Sequence, residues 1–249
     1  MPRIARVVGV EYPHHITQRG NYRQEIFLDD EDRKKYLTLL FAESNKYRLK
    51  ILSYCLMTNH VHFIGVPEKM DSMGNVFKYV NMKYSQYFNR KQGEKGHLFH
   101  GRFFSSIMDE HYTMACARYI ERNPVRAKMV KDPWDWKWSS AGVHCGMEKE
   151  SELLENRLFE YCEIDGKEWK GYISSREDPG EMIMIKGQTI KGRPLAGGDF
   201  IKELGKKLKR VLEVRPKGRP VKKTEKKQKN RCLSLFTLCP YLLYLLELQ

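Results

Sequence analysis

Residues 50–64 read KILSYCLMTNHVHFI. Branched and aromatic residues dominate both ends, and the polar pair Thr58-Asn59 interrupts them. The pattern predicts two strands, 50–57 and 58–64, joined tightly as an antiparallel hairpin, with Pro67 just beyond the second. Side chains alternate across a strand, so His60, His62 and Ile64 share one face while Val61 and Phe63 take the other. Two imidazoles two residues apart on a rigid strand can hold one divalent cation from the same side. An isolated His-x-His pair is common by chance, so the rest of the chain has to supply what such a pair needs.

Upstream, residues 7–19 (VVGVEYPHHITQR) predict a first strand, in which His14 and His15 read as polar residues of a sheet edge. Asp29 and Asp30 supply an N-cap and an acidic first turn for a helix over 29–47, with Tyr36, Leu39, Leu40, Glu43 and Tyr47 at helical spacing. Downstream, Asp71-Ser72 opens a second helix to about residue 90, with Val76, Phe77, Val80, Tyr84 and Phe88 on its apolar face. Residues 97–108 (HLFHGRFFSSIM) predict a fourth strand bent at Gly101, and residues 109–123 a third helix stopped by Pro124. The order β-α-β-β-α-β predicts an α+β, ferredoxin-like antiparallel sheet with helices packed on it. The tryptophan-rich stretch 134–142, WDWKWSSAG, is expected to close the core of this domain.

The chain has 249 residues, 41% of them hydrophobic, and a formal charge of +14. The charge is unevenly spread: residues 1–146 carry +8, residues 147–185 carry −6, and residues 186–231 carry +13. A polyanionic partner, most simply nucleic acid, follows from that balance. The charge marks a mildly basic front, a short acidic joint and a strongly basic tail, and the expected organisation is a first domain over 1–146, a helical or irregular basic extension over 147–220, and a basic then apolar tail over 221–249. Cys55, Cys116, Cys145, Cys162, Cys232 and Cys239 form no C-x-x-C pair and read as reduced thiols of a cytoplasmic protein. No signal peptide is expected at the start. The apolar run 232–248 contains Pro240 and is shorter than the roughly 20 residues that span a bilayer, so no membrane anchor is expected.

The third helix carries Tyr119 and Asn123, one turn apart and therefore on one side. If that side looks at the histidine strand, His60, His62 and Asn123 form a set of two imidazole nitrogens and one amide oxygen. Such a set suits Mg²⁺ or Mn²⁺, the imidazoles leaning toward Mn²⁺, and leaves positions for phosphate oxygens. A neighbouring tyrosine can attack a phosphodiester and become esterified to it. The structural alternative is that Tyr119 faces the core and Asn123-Pro124 only stops a helix.

In order, PHHITQRGN (13–21), MTNHVHFI (57–64), GHLFHGRFFSS (96–106), ARYIERNPVRA (117–127) and WKWSSA (136–141) closely resemble the single-tyrosine HUH transposases, in particular the REP-associated tyrosine transposase branch. The resemblance covers roughly residues 3–146 and implies the HUH nuclease fold. It implies His60 and His62 as metal ligands, Asn123 as the polar residue that helps bind the ion, and Tyr119 as nucleophile. It implies DNA cleavage and rejoining through a 5′-phosphotyrosine in mobilising repeated palindromic elements, with single-stranded or hairpin DNA as partner and a nucleoid-associated location. The extension resembles the GRP-containing extensions of relatives. A non-cleaving DNA-binding regulator and a hydrolytic HUH-type nickase are the competing functions. Whether the chain acts as a homodimer is left open.

Expected DNA contacts are Arg19, Lys78, Lys83, Arg102, Arg118, Arg122 and Arg126, with aromatic residues between them for stacking. Lys191-Gly192-Arg193-Pro194 recurs as Lys217-Gly218-Arg219-Pro220. Arg193 and Arg219 there read either as minor-groove hooks or as parts of a basic linker with Gly-Pro turns.

Overall fold

The hairpin forms where residues 50–64 place it. Strands β2 (Leu49–Leu56) and β3 (His60–Pro67) pair antiparallel, with Cys55 opposite His62 and Leu56 opposite Val61. The strand continues past Ile64 and takes in Pro67, at its last position, where the missing N–H costs no ladder bond. The computed structural model describes residues 5–149, 153–154, 158–159 and 164–213. Arg219, Cys162, Cys232, Cys239 and the apolar stretch 232–248 lie outside the described residues.

The sheet has the order β2-β3-β1-β4, with β1 at His14–Arg19 and β4 at Phe104–Ile107, and every neighbouring pair is antiparallel. This is the split arrangement expected from the element order, in an α+β fold. The order puts β1 in the interior, between β3 and β4. The expectation of His14 and His15 at a sheet edge is therefore corrected: both are buried. The strand is also shorter than residues 7–19. Glu11 takes φ 64° and donates its N–H to the Pro67 carbonyl, so the chain enters the sheet only after Pro13. The fourth strand is likewise shorter than residues 97–108. Gly101, at φ 63°, breaks it, and only an isolated pairing of Gly20 with Phe99 remains before the break.

Helices α1 (Asp30–Tyr47) and α2 (Ser72–Gln92) cover one face of the sheet. Asp29 caps α1 by accepting from the Asp32 N–H, and Gly93 ends α2 in the left-handed region at φ 67°. Their apolar stripes, Tyr36 and Leu40 with Val76, Phe77, Val80 and Tyr84, pack on Ile16, Val61 and Phe63. The opposite face receives α3 (Glu110–Glu121), whose Ala115, Cys116, Ala117 and Ile120 meet Cys55, Met57, Ile64 and Val66. Pro124 does not close this helix. Helix α3 ends at Glu121 and a short helix α4 (Asn123–Arg126) restarts with Pro124 in its first turn, where a proline lacks nothing the helix needs.

The tryptophan stretch closes the β2 edge. Trp136 Nε1 donates to the Leu56 carbonyl at 3.1 Å, and the Leu56 N–H donates to the Trp138 carbonyl at 2.8 Å. Helix α5 (Ala141–His144) follows, and then α6 (Gly166–Ser174), α7 (Pro179–Lys191) and α8 (Gly198–Lys207). Residues 1–213 cluster as one unit, so this part of the extension packs with the first 146 residues. Trp169 and Ile173 of α6 and Ile185 of α7 enter the same apolar cluster as α3. In the first basic tetrapeptide, Gly192 ends α7 at φ 65° and Leu195 then hydrogen-bonds the Ile107 carbonyl beside β4. Here the Lys-Gly-Arg-Pro run is a helix stop leading to the sheet edge.

One buried carboxylate ties these elements together. Glu121 accepts from Ser140 Oγ at 2.5 Å, Ser53 Oγ at 3.2 Å and Trp169 Nε1 at 3.0 Å, and lies 2.6 Å from His144 Nδ1. Replacing it with alanine leaves those buried donors without an acceptor. We expect Glu121→Ala to lower the unfolding free energy by about 3 kcal/mol, read from urea denaturation.

Candidate active site

The pairing register decides which side chains meet. Arg19 lies opposite His60, Thr17 opposite His62 and His15 opposite Ile64, so all six share the sheet face that α3 covers. Tyr119 of α3 stands edge-on to both inner histidines, its ring 5.8 Å from that of His62 and 6.1 Å from that of His15. Asn123, at the start of α4, brings its amide nitrogen to 3.3 Å from His60 Nε2. Three elements distant in sequence thus converge on one patch: β3, α3 and the turn into α4.

Burial keeps the imidazoles neutral. It pushes His60 down to about 4, with Arg19 and Arg126 adding repulsion, and His15 down to about 3. It drives His62 well below its ordinary value, helped by the neighbouring His60, His15 and Arg126. His60 Nδ1 lies 2.6 Å from Asn59 Oδ1, an acceptor, so the ring proton sits on Nδ1 and the Nε2 lone pair faces Asn123. Neutral imidazoles with an outward Nε2 lone pair are what a metal ligand requires, and the donor set fits a divalent ion. Among the described residues no three His, Cys, Asp or Glu side chains are arranged to hold a metal ion, so the third protein donor here would be the Asn123 amide oxygen after a half-turn of that amide.

Tyr119 is half-buried, and burial raises its phenol above the ordinary value. The Arg126 guanidinium pulls the other way. That guanidinium lies 4.2 Å from the centre of the Tyr119 ring and donates to the Tyr119 carbonyl at 2.5 Å. Tyr112, the other tyrosine of this helix, meets the His111 ring at 5.2 Å.

The expected DNA contacts separate into groups. Arg19 is exposed, opposite His60, and lines a cleft of about 340 Å³ with Asn21, Tyr22, Arg23 and His100. Arg102 is exposed just after the Gly101 break. Lys78 and Lys83 are exposed on α2, across the sheet from Tyr119, and Lys83 pairs with Glu43 at 2.5 Å. Arg118, Arg122 and Arg126 are engaged within the chain. Arg118 pairs with Glu181 at 3.0 Å, and Arg122 and Arg126 pair with the two oxygens of Glu177 at 3.1 and 2.5 Å. Arg193 gives its carbonyl to Ser106 Oγ at 2.5 Å.

Residues 10–123 match the family described as "Transposase IS200 like". That stretch is similar to this family over just under half of the chain. The match begins before β1 and ends on Asn123, so it takes in the sheet and the whole of the patch. It agrees with the resemblance carried by the motifs. No curated protein matches the chain. Among solved structures, a REP-associated tyrosine transposase bound to a REP hairpin is 17% identical, with a TM-score of 0.49 over 64% of this chain and 93% of that one. A candidate transposase from Deinococcus radiodurans R1 is 16% identical, with a TM-score of 0.34 over 49% of this chain and 97% of that one. No helix of the described residues is long and apolar enough to cross a membrane.

Sequence reasoning missed His15, and also Glu177 and Glu181 as partners of the α3 and α4 arginines. A signal for His15 existed: once β1 is placed beside β3, alternation carries His15, Thr17 and Arg19 onto the face of His60 and His62.

The buried histidines give a pH prediction. Each is protonated near 6.5 when unfolded, whereas His14 and His60 in the fold wait until about 4 and His15 until about 3. The unfolded chain therefore binds more protons over that window, and stability falls as the pH drops. The urea midpoint should be flat in this respect above pH 7 and decline steadily from pH 6.5 toward 4.

Proposed function

We propose that the chain cleaves and rejoins single-stranded or hairpin DNA through a covalent tyrosine intermediate, as a metal-dependent transposase. The observation that supports this most is the meeting of Tyr119, His62, His60 and Asn123 on one sheet face, with the first pair of rings 5.8 Å apart and the second pair of side chains 3.3 Å apart. His60 Nε2, His62 Nε2 and the Asn123 amide oxygen would hold Mg²⁺ or Mn²⁺. When bound, that ion supplies Lewis acidity toward the phosphate oxygens.

The remaining roles belong to the chain itself. Tyr119 Oη attacks phosphorus, an Oη–P bond forms, and the bond to the 3′ oxygen breaks. The phenol proton leaves to solvent, and the leaving 3′ oxygen takes up a proton to become a free hydroxyl. The other fragment stays on Tyr119 as a 5′-phosphotyrosine. A 3′-hydroxyl can reverse the step, since the ester retains the energy of the broken bond. Arg126 favours the deprotonated phenol that burial disfavours. Arg19, beside His60 and exposed, is suited to a DNA phosphate.

Incubation with labelled hairpin DNA and Mn²⁺, followed by a denaturing gel, tests the reading. Tyr119→Phe should reduce cleavage by about 10⁴-fold or more and remove the protein–DNA band, while leaving DNA binding intact. His60→Ala and His62→Ala should do the same, and Tyr112→Phe should retain activity. Cleavage by Tyr119→Phe with no covalent species would mean hydrolysis and sink the mechanism. Residues 214–231 hold nine basic side chains against Glu225. Truncation after Glu213 should therefore flatten the salt dependence of DNA binding but preserve cutting at high protein concentration.

A further inference from the structure

The inner histidine, His62, does not stand alone on its strand. Its Nδ1 lies 2.9 Å from His15 Nε2, and His15 Nδ1 lies 2.7 Å from the hydroxyl of Thr189 on α7. The Thr189 hydroxyl in turn lies 2.7 Å from the Ile185 carbonyl, four residues earlier in the helix. His15 and Thr189 are each 1% exposed, so water does not compete for these bonds. The two imidazoles lie within 13° of parallel with centroids 5.1 Å apart. With nitrogens at 2.9 Å, that is the separation of rings side by side in one plane, joined by an in-plane N–H···N bond, and not of rings face to face.

Only one direction of proton donation satisfies this chain of contacts. The Thr189 oxygen and the Ile185 carbonyl oxygen are too close to face each other without a proton between them, so the hydroxyl donates to the carbonyl. The same hydroxyl oxygen then accepts, and His15 Nδ1 carries the proton it accepts. A neutral His15 has one ring proton, which leaves its Nε2 bare. His62 Nδ1 must therefore carry a proton, and His62 Nε2 is left with a lone pair. Reversed, the chain would put a proton on His62 Nε2 and block it as a ligand.

We propose that Thr189 and His15 form a relay that fixes the tautomer of His62, making Thr189, in the extension, a positioning residue for the metal-binding strand. The relay rests on the reading of His62 as a ligand for its purpose, but its proton arrangement does not. Thr189→Val keeps the shape of the side chain and removes the acceptor. His15 is then free to carry its proton on Nε2, where it faces His62 and drives the His62 proton to the ligand position.

The test uses the full-length chain labelled with ¹⁵N-histidine. Two-bond ¹H–¹⁵N correlation in the absence of metal reads the tautomer of His62. Mn²⁺ affinity, from the electron paramagnetic resonance of the free ion, provides the second readout. The wild type should show His62 protonated at Nδ1. Thr189→Val should shift His62 toward the Nε2–H form and weaken Mn²⁺ binding about 10- to 100-fold. Thr189→Ser, which keeps the hydroxyl, should restore both. His62 protonated at Nε2 in the wild type would overturn the relay, whether or not the valine variant folds. So would an unchanged tautomer and unchanged Mn²⁺ affinity in a folded Thr189→Val. A wild type with His62 protonated at Nδ1 that binds no Mn²⁺ would leave the relay standing and refute the metal assignment instead.

Discussion

The seating of α3 depends on the carboxylate of Glu121. A carboxylate buried this deeply costs several kcal/mol unless donors surround it, and the donors here come from four places. Ser53 belongs to β2, Ser140 to the turn before α5, His144 to α5 itself and Trp169 to α6. Sliding α3 along the sheet by one residue would separate the carboxylate from all of them. Glu121 stands two residues from Tyr119 and two from Asn123, so whatever fixes its position also fixes theirs. The precision of the patch over His60 and His62 is set by a polar cluster that points away from it.

The same helix explains where much of the charge goes. An acidic stretch between two basic ones suggests a joint between a DNA-binding body and a DNA-binding tail. Yet Glu177 and Glu181 of that stretch meet Arg118, Arg122 and Arg126. Arg118 also lies over the Tyr172 ring at 4.2 Å and reaches Ser175. These arginines dock the extension onto α3 and α4, in partly buried surroundings where an ion pair is screened less than at a bare surface. The net charge of a segment is a sound guide to its partner only when the charges do not find each other first.

Much of the fold could be read from local rules. Alternation gave the hairpin and the shared face of His60 and His62. The cap at Asp29 marked the start of the first helix, and the order of elements predicted an antiparallel, ferredoxin-like sheet but not that β1 lies inside it. What escaped was the part that depends on contacts far apart in sequence. Residues 7–13 look like a strand because valines have high strand propensity, but a bond from Glu11 to Pro67 holds them as a turn. His15 looked polar and peripheral because nothing local marks a histidine whose hydrogen-bond partner lies 174 residues away. The pairing of Tyr119 with Asn123 was legible because one helical turn joins them. Spacing alone could not pair either with the histidine strand, since it carries no information about which strand α3 covers; that pairing came only as what the motif resemblance implied.

Burial acts on this patch in two opposed ways. It keeps His60 and His62 neutral, which a ligand requires, and it raises the phenol of Tyr119, which a nucleophile does not want. A more open site would ease the tyrosine and let the imidazoles protonate. A more closed one would hold the imidazoles and leave the phenol further from deprotonation. Arg126 lies at the point of compromise, since its charge lowers the pKa values of both kinds of group. Unlike burial, it therefore favours the neutral imidazoles and the ionised phenol together. Its partner Glu177 offsets part of that charge, and Glu177 itself acts to raise the phenol. The balance at Tyr119 is thus shifted by an ion pair whose acidic half comes from the extension, which makes the segment beyond residue 146 part of the electrostatics of the patch around Tyr119.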